Sequence, residues 1–252
     1  MNNKLMYGYP ISSIFNRIIG LIIISLIIIF ISLSISPMIG LLLSLLLPVL
    51  LVLFTLHFKS SFSKIRTKIL KELMQKASIK EHERVLDLGT GSGYIAIHLA
   101  KQVPKSTIIG IDKFDLKTDG KIHWFIEELK INFFGNTLYH AQQNANIENV
   151  EHSVDFVKSD LLKPFPFESS FFDIVVSSQF LYCIPPNQVA QVLKEIDRIL
   201  KPQGRLVFFE TIRFFTWNIK KIFDFYQEIG YDVEIKNLEY FSNKCIITAK
   251  KP

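Results

Sequence analysis

Between Ile18 and Leu56 the chain carries no Asp, Glu, Lys, Arg or His. That stretch decides what the rest can be, because a run so long and apolar asks for a non-aqueous environment. Ile18 to Ile35 is Ile, Leu and Phe broken only by Gly20, Ser25, Ser32 and Ser34. As a helix it would extend about 27 Å, close to the hydrocarbon thickness of a bilayer. Its Ile, Leu and Phe residues favour insertion by about 4 to 8 kcal/mol in sum, with no charge opposing them. Ser36-Pro37 interrupts the pattern, and Met38 to Leu56 forms a second run of similar length with Pro48 in its middle. Membrane helices tolerate such a proline better than soluble ones do. The pair predicts a tight transmembrane hairpin with spans at 18–35 and 38–56. A cleaved signal peptide is the competing reading, but its apolar stretch is usually about 7–15 residues and no second span follows it.

The net charge of +6 is concentrated beside this region: Lys59, Lys64, Arg66, Lys68 and Lys71 precede the next acid, Glu72. A basic cluster flanking an apolar span attracts anionic headgroups and keeps its loop cytoplasmic. With Lys4 and Arg17 ahead of the first span, both ends of the hairpin are expected in the cytoplasm, giving a two-span membrane protein with a cytoplasmic catalytic domain. Membrane lipids are expected partners and nucleic acid is not. Cys183 and Cys245 form no CxxC pair or Cys/His cluster, so neither a metal site nor a disulfide framework is expected, and both read as buried apolar residues.

Beyond the hairpin (1–58) and a basic linker and helix (59–83), residues 84–252 alternate strands and helices. Arg84–Gly89 reads as a buried strand, Ser92–Gln102 as a helix, and Ser106–Asp112 as a second strand. A helix at 137–146, strands at 154–159 and 172–178, and a helix at 187–200 ended by Lys201-Pro202-Gln203-Gly204 follow. The pattern closes with a strand at 205–210, a helix at 215–229, and strands at 231–238 and 244–250 joined by a turn at Ser242-Asn243. Such alternation predicts an α/β domain with a mostly parallel sheet covered on both faces.

Chemistry is carried by Val85-Leu-Asp87-Leu-Gly89-Thr90-Gly91-Ser-Gly93. Glycines at alternate positions after a buried strand let backbone approach a ligand without an intervening Cβ. The following helix directs its free N–H groups and positive dipole end at a bound carboxylate. About 20 residues on, Asp112 ends the second strand, where a carboxylate can accept hydrogen bonds from both hydroxyls of a ribose. A nicotinamide dinucleotide site wants G-x-G-x-x-G. Here the third glycine comes one residue early, and Asp87 sits poorly beside a pyrophosphate. It suits a sulfonium ligand bearing an ammonium group.

With these residues the chain resembles the class I S-adenosylmethionine-dependent methyltransferases over roughly Arg84 to Lys250. The matching stretches, in order, are Val85–Gly93, Asp112, Ser159-Asp160, Phe172–Ser178 and Leu200–Val207. The resemblance implies a doubly wound, Rossmann-like seven-stranded sheet whose last hairpin makes one strand antiparallel, and S-adenosylmethionine as cofactor. It further implies that Asp87, Gly89, Thr90, Gly91 and Gly93 hold the methionine moiety and that Asp112 holds the ribose. Asp160 would take the adenine amino group, with Leu161 on the ring, and Ser177 and Ser178 would stand beside the sulfonium.

Lys113 to Asn136 is an insertion relative to that family, rich in aromatics and lysines. It reads either as an interfacial helix or lid over an apolar substrate or as an extra helix packed on the domain, and it makes Asp115 a rival to Asp112 as ribose ligand. No catalytic residue is assigned. Methyl transfer from a sulfonium needs alignment and exclusion of water more than a base, and Tyr94, His123, His140 and Tyr182 each fit a packing or surface role. Where amino-group methyltransferases carry Asn/Asp-Pro-Pro-aromatic, this chain has Ser178-Gln-Phe180-Leu-Tyr182-Cys-Ile-Pro185-Pro186. That resembles the small-molecule and lipid branch and favours an amphipathic acceptor such as a lipid headgroup or quinone. A non-catalytic membrane scaffold and a protein methyltransferase are the alternatives.

Overall fold

A computed structural model describes residues 11–114, 137–211, 219–238 and 244–252. The insertion beyond residue 114, Asp115 and His123 included, and the Ser242-Asn243 turn lie outside them. The chain divides into two compact units, one of residues 9–69 and one that begins at Leu70 and runs to Pro252.

The first unit holds α1 (Ile11–Ile35) and most of α2 (Pro37–Ala77), separated at Ser36. Helix α2 runs through Pro48 and also through the basic segment expected to be a linker. No Gly or Pro follows Pro48 before Ala77, and Lys, Leu, Met and Gln are good helix formers. At the turn the two helices touch closely, since a Cβ on Gly40 would lie 2.5 Å from Leu33. Along both helices large apolar side chains are exposed, Phe30 at 72%, Ile35 at 78% and Met38 at 79% among them. Among the described residues no helix is long and apolar enough to cross a membrane. The expected spans at 18–35 and 38–56 are therefore not supported.

The second unit is a seven-stranded sheet in the order β3-β2-β1-β4-β5-β7-β6. The strands are β1 (Arg84–Leu88), β2 (Thr107–Asp112), β3 (Val154–Lys158), β4 (Phe172–Ser178), β5 (Leu200–Thr211), β6 (Asp232–Asn237) and β7 (Lys244–Lys250). β7 is antiparallel to both β5 and β6, and the other pairings are parallel. Helices α3 (Tyr94–Gln102), α4 (Leu138–Ile147), α5 (Val189–Ile199) and α6 (Ile219–Glu228) supply the crossovers. The sheet is buried on both faces, as parallel strands require: Val85, Leu86, Leu88, Ile174 and Val175 are fully enclosed. The last turns of α2 join this core through Leu70, Leu73 and Ala77.

Two boundaries differ from expectation for physical reasons. Helix α3 starts at Tyr94 rather than Ser92, because its N-cap Gly93 sits at φ 80 and cannot be helical. β5 begins at Leu200, ahead of the Pro/Gly stop, which only shifts the register between Phe172↔Leu200 and Ile174↔Arg205. Cys245 is buried as expected, whereas Cys183 is exposed.

Candidate active site

The site is built where β1, β2 and β3 end at their carboxyl edge, beside the point where strand order reverses between β1 and β4. Open α/β sheets bind ligands in that crevice. Gly89, Gly91 and Gly93 adopt φ of 75, 55 and 80, a region other residues enter at a cost of about 1–2 kcal/mol. The turn is stapled to β2: the amides of Gly89 and Thr90 both donate to the Ile111 carbonyl, at 2.9 and 3.1 Å. Gly93 N–H donates to the Thr90 carbonyl at 2.9 Å, and Gly91 N–H donates to Asp112 Oδ2 at 2.9 Å. All three glycine amides are thus engaged within the protein. What the turn offers a ligand is its Cβ-free surface and carbonyl oxygens, which favours an ammonium over a second carboxylate.

Asp87 lies beneath this turn, 1% exposed. Its Oδ2 accepts from the Thr90 hydroxyl at 2.7 Å and from Ala96 N–H at 3.1 Å. Burial drives its carboxyl from 3.8 up to about 7, opposed by those two hydrogen bonds and helped by nearby Asp112. A buried acid poised at neutrality is a mark of functional sites, and a cation placed beside it would restore its charge.

Asp112 is half-buried at the end of β2, and its Oδ1 accepts from Phe114 N–H at 3.2 Å. Ser159 N–H donates to the Asp112 carbonyl at 2.9 Å, joining the ends of β2 and β3. The next residue, Asp160, accepts from Leu162 N–H at 3.2 Å and faces Lys113 Nζ at 3.7 Å. Asp87, Asp112 and Asp160 thus stand at or just beyond successive strand ends along one sheet edge.

Other predicted residues take different positions. Ser177 is completely buried, and its hydroxyl donates to the Leu88 carbonyl at 2.9 Å, tying β4 to β1. Leu161 is 4% exposed and belongs to the main apolar core. His140 faces the Thr137 hydroxyl at 2.7 Å within the N-cap of α4, and burial holds its pKa below the usual value. Tyr94 presents its backbone carbonyl to His98 Nδ1 at 2.7 Å.

Two contributors escape sequence reasoning. Asn144, 1% exposed on α4, donates from Nδ2 to the Ser92 carbonyl at 3.0 Å and braces the glycine turn from 52 residues away. Glu210 ends the apolar run of β5, and the only signal in the sequence is an acid closing Leu206-Val-Phe-Phe209. The glycines also have steric work: a Cβ on Gly89 would lie 2.6 Å from Phe180, and one on Gly93 2.7 Å from Phe156. Gly89→Ala is expected to distort the turn, costing at least about 1–2 kcal/mol in a urea titration. Calorimetry should show S-adenosylmethionine affinity falling at least tenfold.

Residues 62–243 match the family model described as "Methyltransferase domain". The chain belongs to that family. It is a class I S-adenosylmethionine-dependent methyltransferase domain, and the site fits its cofactor: three carboxylates and a Cβ-free turn suit a cationic ligand bearing a ribose. Among curated proteins it is 30% identical over 142 residues to a demethylmenaquinone methyltransferase of Lactobacillus johnsonii, covering 56% of this chain and 49% of that one. It is 32% identical over 142 residues to a release factor glutamine methyltransferase of Flavobacterium psychrophilum, covering 56% and 39%. The chain thus spans about half or less of these relatives' length. Its fold is that of Haemonchus contortus phosphoethanolamine N-methyltransferase 2, solved in complex with S-adenosyl-L-methionine. The TM-score is 0.56 at 18% identity, over 74% of this chain and 52% of that one.

Proposed function

We propose that this protein methylates a small or membrane-soluble acceptor, a lipid headgroup, quinone or similar compound, from a domain anchored to the membrane by α1 and α2. The observation that carries the enzymatic reading is the row Asp87, Asp112, Asp160 at the carboxyl edge of β1–β3 beside the Gly89–Gly93 turn. When bound, S-adenosylmethionine supplies a methyl group on a positively charged sulfur, already an excellent leaving group. The chain's own residues then bind and orient. Asp87, positioned by Thr90 and Ala96, faces the cationic methionine end beside Gly89, Gly91 and Gly93. Asp112 keeps acceptor capacity for the ribose hydroxyls, and Asp160 borders the adenine. Ser177 acts through its tie to Leu88, which fixes β4 against β1. Alignment and exclusion of water account for the rate, and no general base is assigned.

Membrane anchoring is supported by the charge-free run Ile18–Leu56 and by apolar side chains exposed around both helices. A helix that is apolar all round belongs in a core or in lipid. Lys4 and Arg17 before the run and Lys59 to Lys71 after it favour a cytoplasmic placement of the N-terminus and the catalytic domain. The acceptor class is favoured by this anchoring, by the likeness to a demethylmenaquinone methyltransferase, and by Ser178-Gln-Phe180-Leu in place of an Asn/Asp-Pro-Pro-aromatic sequence. The match to a release factor glutamine methyltransferase keeps a protein acceptor as the second reading.

The test is to incubate the full chain, reconstituted in vesicles of total membrane lipid, with methyl-labelled S-adenosylmethionine and membrane extract. Label in the organic phase is expected. Label only in protein supports the second reading, and no label in either fraction counts against transfer.

A further inference from the structure

After β4 the chain turns sharply over the glycine turn. Gln179 occupies φ 56, in the left-handed region, without being glycine. Its N–H donates to the Phe209 carbonyl at 2.8 Å. The next residue, Phe180, packs so closely on Gly89 that even a methyl group there would collide with it. Leu181 follows, fully buried, and opens a short 3-10 turn at Leu181–Cys183. Backbone held in a sparsely populated conformation persists only where its surroundings over-determine it.

Glu210 supplies that restraint. It is 2% exposed near the end of β5, opposite buried Cys245 on β7. One carboxylate oxygen, Oε1, accepts from Phe180 N–H at 3.2 Å and from Leu181 N–H at 2.9 Å. A carboxylate among Phe208, Cys245 and Leu181 is costly to bury and adds nothing to apolar packing. Its Oε1 does satisfy two successive amides that would otherwise need another acceptor. These are the amides whose positions set where the Phe180 wall stands against Gly89.

We propose that Glu210 is a positioning residue for methyl transfer. By clamping Phe180 and Leu181 it fixes the wall that closes the cofactor turn from the β4 side. The assignment rests on the cofactor reading above, and it concerns a group that need not touch the ligand.

Three forms of the full chain test it: wild type, Glu210→Gln, which keeps an acceptor oxygen, and Glu210→Met, which fills the space without one. Two readouts are taken, amide exchange of the 178–184 peptide and calorimetric affinity for S-adenosylmethionine. Glu210→Met is expected to exchange at least tenfold faster at 178–184, with peptides from β1 unchanged, and to bind at least tenfold more weakly. Glu210→Gln should stay within about threefold of wild type in both readouts. Wild-type exchange and affinity in Glu210→Met would overturn the proposal, as would a Glu210→Gln variant as impaired as Glu210→Met. Wild-type protein that binds no S-adenosylmethionine would overturn the cofactor reading and this assignment with it.

Discussion

Asp87→Asn is expected to make the catalytic domain more stable at pH 8 while weakening its hold on S-adenosylmethionine. Burial raises the Asp87 carboxyl from 3.8 to about 7, so between those values the folded state keeps a proton that the unfolded chain has released. Stability therefore falls as pH rises through that window, and the full cost is present above about pH 7. The interval corresponds to on the order of 4 kcal/mol. Asparagine keeps an acceptor for Thr90 and Ala96 and carries no such cost. Urea titrations should find the two proteins similar near pH 4, with the variant ahead by an increasing margin up to pH 7 and a constant one beyond. A difference independent of pH would contradict this. Binding should move the other way, because the variant has no charge to set against a cationic ligand. Losing a charge-assisted contact of about 1.5–3 kcal/mol weakens binding roughly 10- to 100-fold. Wild-type affinity should itself rise with pH between about 6 and 8, since the ionised form binds the cation.

The second large effect concerns the N-terminal helices. Full-length protein should resist extraction from membranes by alkaline carbonate, and a chain lacking residues 1–58 should leave the membrane while still binding S-adenosylmethionine. Each arginine at the centre of a span costs about 2.5–3.5 kcal/mol. Ile24→Arg with Ile28→Arg thus removes about 5–7 kcal/mol of the 4 to 8 kcal/mol that favours the first span, and this double variant should become partly extractable. Quantitative release of the wild-type protein by carbonate would contradict the anchoring.

Much of the domain is legible in its sequence because its signals are local. β4 at Phe172–Ser178 and β7 at Lys244–Lys250 have the expected bounds, each a compact apolar run with turn residues or charges at its ends. The glycine turn and the end of β2 at Asp112 are legible from pattern and spacing. What is not legible depends on contacts distant in the chain. Nothing near Asn144 indicates that it braces Ser92, and nothing near Glu210 indicates that it holds amides 30 residues away. Ser177 misleads for the same reason: the family resemblance implies a place beside the sulfonium, but parallel pairing of β4 with β1 buries it against the Leu88 carbonyl. Likewise the lysines after the apolar run suggest a linker, yet good helix formers and no further Gly or Pro carry α2 through to Ala77.

Cofactor choice is read out by calorimetric titration of S-adenosylmethionine into the protein in lipid nanodiscs, with NADH as control and Asp112→Ala alongside. Micromolar binding of S-adenosylmethionine, no binding of NADH, and loss of the signal in Asp112→Ala are expected. Folded wild-type protein that binds NADH equally well, or that gives no heat with S-adenosylmethionine, would contradict the cofactor assignment.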